Sequence, residues 1–160
     1  MLSRSESLLL CETVLAHAKA AGAEDVVVSV ESTIAAHARL ADSRFTTSGR
    51  AEDLSITVTV GIERRRGAAS GNDASAPALE QLAREVVQIA RISPVHREYV
   101  PTLGPLEYQE SKGFSDATAD VDVAARAKAL RAVLDACGTA GVSGAGVHTA
   151  NASAIAVATA

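Results

Sequence analysis

L-S-I-T-V-T-V-G-I-E-R-R-R-G-A-A-S-G-N-D, from Leu54 to Asp73, decides how the chain folds. Leu54, Ile56, Val58, Val60 and Ile62 alternate with Ser55, Thr57, Thr59, Gly61 and Glu63, the period of two of a strand with one buried and one wetter face. The β-branched residues suit a pleated surface. Three arginines and Gly67 then interrupt the apolar pattern in a way no core accepts, so the chain reverses there and returns over Ala68 to Ser70. A solvated hairpin tip accounts for Arg64, Arg65 and Arg66 with less than a phosphate or acidic partner would require.

Working outward from this hairpin, Ser3 and Glu6 have capping-box spacing, and Leu8, Cys11, Leu15 and Ala18 follow at helical intervals up to Gly22. This predicts a helix over 5–21. Val26, Val28 and Val30, then Ile34, Ala36, Ala38 and Leu40, predict two strands joined near Ser32 and Thr33, and the polar stretch 42–53 reads as a loop. Downstream of the hairpin, Ser75 and Pro77 open a helix with Leu79, Leu82, Ala83, Val86 and Ala90 on one face, which Pro94 ends. Prolines and glycines make 93–118 a long connector, the kind of segment that covers a surface or carries function. A third helix over 120–136 presents Val123, Ala127, Leu130, Leu134 and Cys137, and two strands, 142–150 and 152–160, close the sequence. The fold class expected is therefore α+β, a mixed and largely antiparallel sheet with about three helices packed against it, in the order α-β-β-β-β-α-α-β-β.

At 160 residues, 48% apolar and 21% charged, the sequence supports one domain, 1–160, with a real core. Aromatic residues are only 2%, so small side chains must fill much of that core. A net charge of -4 gives no overall attraction to nucleic acid or to an anionic membrane. No apolar run is long enough to span a bilayer, and the Leu8 to Leu10 run, flanked by charges and lacking a cleavage site, is no signal peptide. Cys11 and Cys137 read as reduced thiols of a cytoplasmic protein. The closing A-I-A-V-A-T-A stops inside an apolar strand pattern, so the 160 residues are expected to be the front of a longer polypeptide, with an unpaired edge that dimerises or frays.

For chemistry the residues offer little. His17, His37, His96 and His148 are scattered over different elements, and neither His-Glu-x-x-His nor Cys-x-x-Cys occurs. Cys137, at a helix C-terminus, and Cys11, in an apolar stripe, are poor nucleophiles. G-V-S-G-A-G, 141–146, lacks the Lys-Ser/Thr ending of a phosphate loop and reads as a glycine-rich lead into a strand. Asp116, Asp120 and Asp122 sit where a helix start uses carboxylates. No catalytic, cofactor-binding or metal-binding residue is assigned.

The order of segments adds a resemblance. A-K-A-A-G-A-E-D (18–25), V-V-V-S-V-E (26–31), I-T-V-T-V-G (56–61), R-G-A-A-S-G-N-D-A-S (66–75) and A-L-E-Q-L-A-R-E-V-V-Q-I-A-R (78–91) together resemble the N-terminal domain of the TldD/PmbA family, the modulators of DNA gyrase. The most specific part is 66–75; Y-Q-E-S-K-G-F (108–114) matches no family pattern. The resemblance implies a cytoplasmic, zinc-dependent peptidase acting on unfolded peptides as a homo-oligomer or a pair of related subunits, with no direct nucleic-acid or membrane partner. Its His-Glu-x-x-x-His motif, which one subunit type carries and its companion lacks, lies downstream of this domain. The resemblance therefore places no cofactor in this chain, zinc belonging to the full-length parent or its partner, and implies that the isolated chain is inactive. The alternative is a non-catalytic interaction module, a companion subunit or one that contacts gyrase or another toxin target.

Overall fold

A computed structural model describes residues 1–103, 108 and 113–160. The order of elements is α1 (Arg4–Ala20), β1 (Asp25–Ala41), β2 (Arg44–Ile62), β3 (Arg65–Gly71), α2 (Ala76–Ile92), α3 (Asp116–Ala119), α4 (Val123–Ala140) and β4 (Gly146–Thr159). One four-stranded antiparallel sheet, in the order β3-β2-β1-β4, carries the helices, so the α+β expectation holds. The expected element order does not. The two strands proposed around Ser32–Thr33 are one 17-residue strand, and the two proposed at the end are one 14-residue strand. Ser32 is buried within β1, where its hydroxyl accepts the Leu2 amide at 2.9 Å, so a polar dipeptide that reads as a turn stays in the ladder.

The stretch 42–53 is corrected more severely. Only Asp42 and Ser43 turn, both with positive φ, and β2 begins at Arg44. A two-residue turn of this kind matches the twist of its strands. The same device recurs at Glu63 and Arg64, with φ of 48° and 62°, and sets the antiparallel register Ile62 with Arg65 through Ile56 with Gly71. The return strand is consequently longer than the 68–70 expected.

The chain divides into two compact units. The first comprises Met1–Ser32, Asp53–Glu110 and Ala154–Ala160. Its core brings together Val26, Val28 and Val30 of β1, Ile56, Val58 and Val60 of β2, Cys11, Val14 and Ala18 of α1, and Leu79, Ala83, Val86 and Ala90 of α2. α2 packs on β3 and on α1. At Gly67 the approach of α2 is so close that a Cβ would lie 2.5 Å from the Val86 carbonyl oxygen and the Ala90 nitrogen. The apolar face expected of α2 is the one buried. On α1 the buried stripe is Ser7, Cys11, Val14 and Ala18, while Leu8 is exposed. Ser7 tolerates burial because its hydroxyl donates to the Ser3 carbonyl at 3.0 Å. The capping box forms as expected, with Ser3 N–H to Glu6 at 2.7 Å and Glu6 N–H to Ser3 Oγ at 3.3 Å.

The second unit comprises Thr33–Glu52 and Ser111–Ser153. Its core is small: Ala38 and Leu40 of β1 meet Leu130 of α4, with Leu134 half-buried beside them. The stripe expected on the third helix fails at Val123, which is exposed, while Arg126 is buried. Asp122 caps α4 by accepting the Ala125 N–H at 2.7 Å, and Gly141 ends it in the left-handed conformation. No described helix is long and apolar enough to cross a membrane.

Candidate functional site

The feature of the first unit with the most concentrated chemistry is the far end of the β2–β3 hairpin, built from the turn upward. The Glu63–Arg64 turn places three consecutive arginines beside the chain that leaves α2. Each donates to a backbone carbonyl there: Arg64 to Arg97 at 2.7 Å, Arg65 to Ser93, and Arg66 to Val100 at 2.7 Å. In return the His96 N–H donates to the Arg64 carbonyl at 2.8 Å. Arg64 and Arg66 remain exposed, so they are not core residues. They are nevertheless not a free solvated tip. Guanidinium forks suit this task because one planar group reaches a carbonyl while keeping its charge in water.

The same segment is held a second time by Asp25, at the start of β1. Its carboxylate accepts the Tyr99 hydroxyl at 2.8 Å, the Thr102 N–H at 3.2 and 3.3 Å, and the Thr102 hydroxyl. The Arg66 guanidinium lies 5.1 Å from the centroid of the Tyr99 ring, a cation–π distance. Burial pushes the Asp25 carboxyl up, but the Thr102 hydroxyl, the Tyr99 hydroxyl, the Thr102 amide and the Arg66 charge outweigh it and hold Asp25 below the ordinary aspartate value. Tyr99 is pushed up by burial and by its bond to the Asp25 carboxylate. Gly61 makes room for the ring, since a Cβ there would overlap the Tyr99 hydroxyl. Residues 93–103 are thus latched down, while the rest of the expected connector falls partly outside the described residues and, from Asp116, includes the short α3.

This latch binds and positions chain; it contains no nucleophile–base pair. The histidines stay on separate elements, α1, β1, the latched segment and β4. Among the described residues no group of three or more His, Cys, Asp or Glu is placed to hold a metal ion, so the residues present do not fit a zinc centre. Cys11 is fully buried, and burial raises its thiol pKa, which suppresses thiolate chemistry. In the second unit the glycine-rich 141–146 stretch caps α4 and grips the 42–43 turn, through Ser43 N–H to the Gly144 carbonyl and Gly144 N–H to Ser43 Oγ, both at 3.0 Å. Its reading as a lead into a strand agrees with β4 starting at Gly146.

Sequence reasoning missed Asp25, Tyr99 and Thr102. One signal was available: Gly61 interrupts an otherwise β-branched strand, and a glycine in such a place marks close approach by another group. The partner's identity, 38 residues away, was not encoded in any local pattern.

The described residues thus form an antiparallel four-stranded sheet with helices, and the first unit carries a latched segment at the far end of the β2–β3 hairpin. Residues 26–90 match the family model described as PmbA/TldA metallopeptidase domain 1, in agreement with the resemblance to the TldD/PmbA family over that segment. Among solved structures it is similar to TldE from Thermococcus kodakarensis, with a TM-score of 0.78 and 10% identity over 93% of this chain and 35% of that one. It is similar also to a candidate modulator of a DNA gyrase from Thermotoga maritima, TM-score 0.72 and 17% identity over 95% of this chain and 35% of that one. A third, described likewise and from Bacteroides thetaiotaomicron, gives a TM-score of 0.72 and 14% identity over 99% and 46%. At these identities the likeness is one of fold, and the chain spans only 35% to 46% of those structures. No curated protein matches the sequence.

Proposed function

We propose that residues 1–160 act as a single N-terminal structural and assembly domain of a TldD/PmbA-type zinc metallopeptidase. In that reading the domain itself supplies no catalytic residue, and it flanks the path of unfolded peptides while pairing with a second copy or a related subunit. The observation that carries the proposal is the match of residues 26–90 to domain 1 of a metallopeptidase family. The chemistry of the described residues is consistent with it, because the densest polar network, around Asp25 and the three arginines, is spent on holding chain. A cytoplasmic setting suits two free cysteines, one of them buried.

Elemental analysis and a cleavage assay on an unfolded casein test this reading. The purified chain is expected to carry no stoichiometric zinc and to leave the substrate intact; a full equivalent of zinc, or cleavage, overturns it. Light scattering tests assembly, with association expected and a strictly monomeric chain counting against it. A second reading, a non-catalytic module contacting gyrase, draws on the description of two similar structures as gyrase modulators. Retention of purified gyrase by the immobilised chain would favour that reading over the first.

A further inference from the structure

Within the second unit, a cleft of about 520 Å³ is lined by Ser48, Gly49 and Arg50 of β2 and by Asp120, Asp122 and Arg126 around the start of α4. Arg126 is the unusual member. It is 4% exposed, one of its terminal nitrogens donates to the Val121 carbonyl at 2.7 Å, and its Nε has no hydrogen-bond partner. No ion pair joins it to an acidic side chain among the described residues. A buried guanidinium is costly to hold unless an anionic acceptor completes it. Asp120, on the same cleft, is exposed, and its carboxylate takes no hydrogen bond among the described residues.

The lining charges decide what can bind. Arg50 and Arg126 are balanced by Asp120 and Asp122, so a plain anion meets two carboxylates and a plain cation meets two guanidiniums. Asp122 already caps α4 and Arg50 is paired with Glu52 at 2.8 Å, which leaves Arg126 and Asp120 as the groups with capacity to spare. We propose that this cleft binds a small zwitterion, an α-amino acid or dipeptide, with its carboxylate on Arg126 and its ammonium on Asp120. Carboxylate suits the planar donors of arginine, and a charge-assisted bond at each end gives selectivity for a ligand with both ends free. The volume is ample for two residues. The inference stands on this cleft alone and goes beyond the peptidase reading, so either can fail without the other.

The test is an amide-resolved NMR titration of the 160-residue chain with L-alanyl-L-alanine near pH ~7, where both its ends are charged. Saturable shifts are expected at Ser48 to Arg50 and Asp120 to Arg126. N-acetyl-dialanine and dialanine amide, each lacking one charge, are expected to bind about tenfold more weakly or worse. Arg126→Gln is expected to abolish the shifts. Because that residue is buried, exposed Asp120 provides the second variant: Asp120→Asn keeps the spectrum of the folded chain and weakens the free dipeptide about tenfold while leaving the amine-blocked one unchanged. No saturable shift with the free dipeptide, equal binding of blocked forms, an Asp120→Asn chain that binds as before, or the same shifts from inorganic phosphate alone would each overturn the proposal.

Discussion

The two halves of β2 make an instructive comparison. From Ile56 to Ile62 every second residue is buried, three of them at 1% exposure or less, against α2 and the first-unit core. From Arg44 to Asp53 no residue is buried at all, although the backbone is the same unbroken strand. The lesson is that extended backbone and apolar alternation are separate properties. Alternation records a covered face; a ladder of hydrogen bonds needs none, only neighbouring strands and a turn that fits.

The sharpest way to break the well-covered half is at Gly67, where any side chain collides with the α2 backbone, which cannot swing aside as a side chain would. Gly67→Val is expected to cost ~3 kcal/mol or more in chemical denaturation, through overpacking and a displaced helix. An unchanged midpoint would show that α2 does not press on β3 as described. Next in size, Val58→Ala, at a fully buried position, is expected to lose about 2 kcal/mol, whereas Phe45→Ala in the exposed half, where Phe45 is 44% accessible, loses less than about 0.5 kcal/mol. Equal losses would erase the contrast between the halves.

A smaller effect is expected at the latch. Asp25→Asn keeps the shape but removes the charge that Tyr99 and Thr102 bond to, at a cost of about 1–2 kcal/mol, with faster hydrogen exchange over residues 96–102 and little change in α1. The pH dependence has a definite sign. The folded-state pKa of Asp25 lies below its ordinary value of 3.8, so its contribution is present above that value and is lost as pH falls through the lower, folded one. Acid should therefore loosen 96–102, and the Asn variant should not show that step. Smaller again than the Asp25 effect, Arg66→Lys retains the charge but gives up the fork and the favourable stacking over Tyr99, for about 0.5 kcal/mol, read as a slight drop in melting temperature.

The correspondence between sequence and fold follows the same contrast. The α1 cap, the apolar stripe of α2 and the β2–β3 hairpin were legible because each depends on neighbours within a few residues or on one well-covered face. The stretch 44–53 was not, since exposed strand leaves no apolar record. The stripe of α4 was misjudged because its core is small, and the buried position falls to Arg126 instead of Val123. At the candidate site the three arginines were conspicuous, but their work was not, because their acceptors are backbone carbonyls, which every residue type carries.

By itself, then, the sequence determined the class of the fold and the central hairpin, and its resemblance to the TldD/PmbA family agrees with the domain 1 match over residues 26–90. Tertiary structure alone decided that 25–41 and 146–159 are single strands, that the arginines latch 93–103, and that Asp25 receives Tyr99 and Thr102. The physical reason is range. Periodicity and capping are short-range preferences that accumulate along the chain, while a latch is a meeting of groups 74 and 77 residues apart whose partners only the folded backbone can choose.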